Sequence, residues 1–129
     1  MCRVEVYLEG VEYATDVWAA TDRVLAPMDK LGRRKGLLVA RFEALLERCA
    51  KVGFHRLHAN VIKHYEDSVY GIGERKGPLL RALGFYVDGQ ARQTFVLMDF
   101  YETHHNRAID NERIREVVRI RRSGDWVRE

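Results

Sequence analysis

Polar and apolar residues alternate at the start of the chain: Val4, Val6 and Leu8 are set against Arg3, Glu5 and Tyr7. That period of two predicts a half-buried strand, ended by Glu9-Gly10. Ala14, Val17, Trp18, Thr21, Val24, Leu25 and Met28 then recur at helical spacing. They predict a first helix, capped by Thr15 or Asp16 and ended or kinked near Leu25 by Pro27. Residues 29–36 read as a turn or broken helix. Leu38, Phe42, Leu45, Leu46, Cys49 and Val52 make a second, clearer amphipathic helix with Gly53 as its stop. The two helices should form a hairpin packed on a sheet. Residues 54–67 are polar and rich in histidine, and their pattern assigns no element.

Three strands follow, at about 68–75, 79–87 and 93–101. Lys76-Gly77-Pro78 suits the first turn between them, and Asp88-Gly89 is a strong hairpin signal for the second. Residues 110–122 predict a last helix with a short stripe of Ile114, Val117 and Val118, ended by Ser123-Gly124-Asp125. Trp126 is then placed to pack back onto the domain. The order is β-α-α-β-β-β-α: an α+β fold in which a helical hairpin lies on one face of a small antiparallel sheet.

The 129 residues support one domain, 1–129, with one core. Hydrophobic content of 47% and charged content of 32% are ordinary for a globular protein. The net charge of +3 permits an anionic partner without requiring one. Residues 107–122 hold six arginines against Asp110, Glu112 and Glu116. Such a run reads as a solvated helix face or as a footprint for nucleic acid or an acidic protein. Two cysteines, Cys2 and Cys49, make no disulfide framework, and Cys49 lies on an apolar stripe as a small hydrophobe. The charged, alternating start is not a signal peptide, and no apolar run approaches the roughly 20 residues that span a bilayer. The expectation is a cytoplasmic protein without a membrane segment.

Alternation also sorts candidate chemistry. In the last strand Val96, Met98 and Phe100 share one face, and Phe95, Leu97, Asp99 and Tyr101 share the other. If the first set packs on the helices, Asp99 and Tyr101 point to an open face. Arg81 is then an open-face residue or an edge residue reaching round. Gly71, Gly73 and Arg75 share a face, and the two glycines leave little side-chain cover, enough to admit a ligand close to the backbone. Metal-free RNA cleavage needs a base for the 2′-hydroxyl, cations for the phosphorane-like transition state and an acid for the leaving 5′-oxygen. Arginine and lysine suit the second task, histidine the first and third, and tyrosine stacks on a base or, with a lowered pKa, moves a proton. His104 and His105 are adjacent, so on an extended chain only one can enter a site. His55, His58 and His64 with Cys49 fit no compact metal-ligand spacing, and neither metal nor cofactor is expected.

The chain resembles the RelE/ParE superfamily of type II toxins, in its phage-derived Gp49-like and HigB-like branch. The resemblance spans most of the chain. It is carried by the helical hairpin over 18–53, with Leu31-Gly32-Arg33-Arg34-Lys35 at its connection. It is carried further by Val69-Tyr70-Gly71-Ile72-Gly73-Glu74-Arg75, by Arg81 in the next strand, and by Phe95-Val96-Leu97-Met98-Asp99-Phe100-Tyr101 before a polar run and a charged helix. Members are commonly ribosome-dependent endoribonucleases that cut mRNA, whereas the ParE branch inhibits DNA gyrase; an antitoxin neutralises them by wrapping sheet and helices. The resemblance implies that Arg75 and Arg81 hold the scissile phosphate and that Tyr101, His104 or His105 stack and transfer protons. Lys63 and Lys76 are secondary cations, and Arg113 and Arg119 are further nucleic-acid contacts. The implied partners are mRNA on the ribosome and a cognate antitoxin, with a homodimer left open. The chain departs from the branch after the last strand, where Glu102-Thr103-His104-His105 replaces the usual lysine pair. A non-catalytic binding protein on the same scaffold, a gyrase inhibitor or phage effector, is the alternative.

Overall fold

In a computed structural model the chain is described over residues 1–56, 61–73, 79–103 and 110–129, with His55 and Leu79 described by backbone alone. Seven strands make one sheet: β1 (Cys2–Leu8), β2 (Asp16–Ala20), β3 (Ile62–His64), β4 (Tyr70–Gly73), β5 (Leu79–Val87), β6 (Thr94–Thr103) and β7 (Trp126–Arg128). Their order across the sheet is β3-β4-β5-β6-β2-β1-β7. The β2–β6 and β1–β7 pairs are parallel and the rest antiparallel. The helices are α1 (Ala26–Gly32), α2 (Gly36–Val52) and α3 (Asn111–Ser123).

The fold is thus α+β, but its sheet is mixed rather than antiparallel and the expected order is not matched. The first helix is the main correction. Residues 16–20 are strand β2, followed by a π-helical segment, Thr21–Leu25, that leads into α1. Asp-Val-Trp-Ala-Ala looks helical because β2 is covered on both faces, with Val17, Trp18, Ala19 and Ala20 all buried. Such a strand shows no alternation. Thr15 and Asp16 accordingly cap nothing. Their backbone N–H groups donate to Ala50 O and Gln93 O. Pro27 falls in the first turn of α1, directly after the π-helical segment ends at Leu25, so the helical path changes there as expected and then continues as α1. The broken segment shrinks to residues 33–35.

The second helix, the three following strands and the last helix lie close to their expected positions. Gly53 stops α2 with φ +98, a conformation that favours glycine. Asp110 caps α3, its Oδ1 accepting from Arg113 N at 3.2 Å. Trp126 does pack back, 6.3 Å from the Trp18 ring and 5.9 Å from Phe85.

The sheet is covered on both sides. Helices α1 and α2 lie on one face, where Phe42 meets Phe100 at 5.6 Å between centroids. Helix α3 lies on the other and buries Ile114, Val117, Val118 and Ile120. Four such side chains, at about 2 kcal/mol each when removed from water, dock this helix firmly. From Thr94 to Tyr101 every residue of β6 is buried. Among the described residues no helix is long and apolar enough to cross a membrane.

Candidate functional site

Three strands set the candidate residues in rows. Gly73 pairs with Arg81 and Arg81 with Tyr101; one row along, Gly71 pairs with Leu83 and Leu83 with Asp99. Partners opposite one another share a face, so Gly71, Gly73, Arg81, Asp99 and Tyr101 lie together. Phe100, Ala82 and Ile72 face α2 on the other side.

The expected open face is not open. Arg113 of α3 donates from Nη1 to both oxygens of Asp99, at 3.2 and 3.1 Å, and its Nε is 3.3 Å from Asp110 Oδ2. Its guanidinium also lies over the Tyr101 ring at 4.7 Å. Asp99 is 3% exposed and Tyr101 8%. Arg23 adds a contact to Asp99 at 3.6 Å and donates to Met98 O at 3.0 Å. Burial pushes the Asp99 carboxyl above its ordinary pKa, while Arg113 and Arg23 pull it back.

The glycines have a different purpose from the one expected. A side chain at Gly71 would run into the Tyr65 ring, and one at Gly73 would come within 2.7 Å of Arg81 Nη1 and of Leu80 O. The space is filled by the protein's own ring and guanidinium, so no ligand is admitted to the backbone there. Arg81 remains half-buried and its Nε is buried with no hydrogen-bond partner among the described residues. Burial lifts the Tyr101 phenol to about 12; Tyr65 nearby adds to the rise and Arg81 opposes it. Tyr101 is therefore a neutral phenol at pH 7 and no proton acceptor. Lys63 Nζ stands 5.8 Å over the Tyr65 ring.

Glu102, which would repel a phosphate beside Arg81, points to the opposite face and pairs with Lys35 Nζ at 2.6 Å. The structure thus brings together Arg81, Tyr101 and Arg113, with Lys63 at the near edge. Arg119 sits apart on the exposed side of α3, paired with Glu116 at 2.8 Å. Arg75, Lys76, His104 and His105 lie outside the described residues. His58 and the His55 side chain do so as well. Cys49 is fully buried, which lifts its thiol to about 12. Among the described residues no group of three or more histidines, cysteines or carboxylates is placed to hold a metal.

Sequence reasoning missed Tyr65 and Arg115. Tyr65 lies in the connection that received no element. Its one signal was the Gly71-Ile72-Gly73 pair, whose bare backbone needed a large neighbour. Arg115 belonged to the arginine run, but only the packing of α3 shows which arginines are engaged. Compared with known proteins, the chain matches no family model, and neither a curated protein nor a solved structure matches it.

Proposed function

We propose that this protein is a RelE-like toxin that cuts mRNA on the ribosome without a metal, through attack of the ribose 2′-hydroxyl. The observation that carries the reading is the Arg81–Tyr101 pair, opposite each other on one face with Glu102 turned away. The coarse plan, an α+β fold with the α1–α2 pair on one face of the sheet and α3 on the other, is compatible with this reading.

In this mechanism the 2′-oxygen bonds to phosphorus, its proton goes to a base, and the P–O5′ bond breaks as the leaving oxygen gains a proton. A 2′,3′-cyclic phosphate remains. Arg81 neutralises the phosphorane-like charge with the half-buried guanidinium it brings to this face. Tyr101, with a pKa of about 12, takes no proton, and its ring can position a base only once Arg113 moves off it. The two proton transfers fall to His104 or His105, which follow directly on β6, with Arg75 as a second cation. The proposed partners are mRNA, the ribosome and an antitoxin, and the proposed place of action is the cytoplasm.

One observation favours a second reading. Tyr101 is only 8% exposed, with Arg113 of α3 over its ring, which suits a non-catalytic protein that inhibits gyrase or grips another host protein. Primer extension on messages from expressing cells separates the two. Codon-phased cuts, abolished by Arg81→Ala with His104→Ala while the fold persists, establish the nuclease. Intact messages with a DNA-damage response establish the inhibitor.

A further inference from the structure

A cleft of about 430 Å³ opens between α3 and the β3–β4 hairpin, lined by Lys63, Tyr65, Glu66, Asn111, Ile114 and Arg115. Tyr65 joins it to the Arg81–Tyr101 pair, since the same ring rests on Gly71 and raises the Tyr101 pKa. At Glu66 and Arg115 it runs on into a second cleft of about 560 Å³ along α3, which includes Arg119 and Arg122. The cations along this path differ in commitment. Arg119 is held by Glu116, and Arg122 with Arg121 by Asp67. Lys63 and Arg115 are exposed, and neither forms an ion pair with a described residue.

We propose that this cleft holds the nucleotides flanking the cleaved phosphodiester in single-stranded RNA. Tyr65 is the platform for a base, and Lys63 and Arg115 contact the phosphates on either side of it. The inference rests on the proposed nuclease reading and extends the same site. The chemistry is that of single-strand recognition: an aromatic ring takes any base by stacking, while separated cations track the backbone. Lys63 covers the outer side of the ring, so a stacking base would displace its ammonium, whose flexible stem lets it swing to an adjoining phosphate. Asn111 offers an amide to a base edge at the cleft wall. A duplex does not suit the cleft, because the ring needs an unpaired base to stack on.

The test is fluorescence anisotropy with the full chain and two single-stranded RNAs, a trinucleotide and an oligomer of about ten nucleotides. Both carry 2′-O-methyl riboses, which cannot attack the phosphate. Lys63→Gln and Arg115→Gln should each weaken the longer RNA about tenfold and reduce the slope of log affinity against log salt by about 0.7. The trinucleotide should bind these variants as it binds the parent. Tyr65→Leu should weaken the longer RNA by on the order of ten- to a hundredfold. If both surface variants bind the longer RNA as the parent does, the proposal is overturned. It is also overturned if a polyglutamate peptide of equal charge competes as well as RNA, which would mark an acidic-protein surface. Arg81→Gln separates the two readings. If it leaves cleavage of an unmodified RNA at the parent rate while the cleft variants weaken the longer RNA, the cleft stands as an RNA-binding surface and the nuclease site is refuted.

Discussion

The ring of Tyr65 occupies the space that a side chain at Gly71 would need. Residue 71 is therefore glycine because of a neighbour six positions away. Gly71→Ala should push the ring aside and destabilise the protein by about 1–3 kcal/mol. Tyr65→Ala in the same chain should recover part of that loss, and denaturant melts of the two single variants and the double variant measure the coupling. Strict additivity would mean that the ring and the glycine are independent.

Arg113 and Asp99 supply a pH-dependent prediction. Arg113 stabilises the ionised carboxylate that burial disfavours. Arg113→Gln should cost about 2 kcal/mol at pH 7. The cost should shrink at about pH 3, below the ordinary carboxylate value, where a protonated Asp99 no longer needs the guanidinium. Because the folded Asp99 pKa lies above its ordinary 3.8, its ionisation lowers stability as pH rises from that value upward, and more so in the variant. Chemical denaturation at both pH values decides; an equal cost at each would rule out the electrostatic account.

At the alkaline end the groups act together. Tyr86 and Tyr101 are lifted by burial to about 12 from 10.0, Cys49 to about 12 from 9.0, and Tyr7 is also raised. Above about pH 9 the unfolded chain loses these protons first, so the folded state holds more of them and stability falls as pH rises. Below pH 8 these groups should contribute no slope. Cys49→Ala should remove the earliest part of the decline in a stability–pH series, and an unchanged onset would contradict this.

The neutral Tyr101 phenol separates stacking from proton transfer. Tyr101→Phe should keep RNA affinity and cleavage within about threefold, whereas Tyr101→Leu should lose on the order of tenfold or more in affinity. A cleavage rate that collapses in the phenylalanine variant, with binding intact, would give the hydroxyl a part in the chemistry.

Glu102 and Lys35 meet on the opposite face from Arg81. Glu102→Gln should leave RNA affinity unchanged and alter stability by less than about 1 kcal/mol, as expected for a partly exposed pair. A clear gain in RNA affinity would place the carboxylate at the site after all.

The parts of the fold legible in the sequence are those with one wet face or a specific turn. Alternation over residues 3–8 shows β1, although Val6 is exposed and Tyr7 half-buried; Leu38 to Val52 shows α2, and Asp88-Gly89 shows the β5–β6 hairpin. Strand β2 was not legible, because burial on both faces erased its alternation and its partner β6 is remote in sequence. Strands β3 and β7, of three residues each, are too short to carry a period. The shared face of Arg81 and Tyr101 is implied by alternation once the β5–β6 register is known. The cover over that face is not, because Ile114, Val117 and Val118 announce an apolar stripe without saying what it meets.

The parallel seam between β2 and β6 governs when the molecule can become whole. Thr15 reaches Gln93 across 78 positions of chain, and the centre of the sheet closes only when two such remote segments meet. Until then β1 and β2 form a hairpin whose inner strand has a bare flank, beside a helical pair with half a floor to rest on. Contacts so distant along the chain make assembly slow. During synthesis the amino-terminal half must wait unfinished for β6, and it should not hold its shape as a separate fragment.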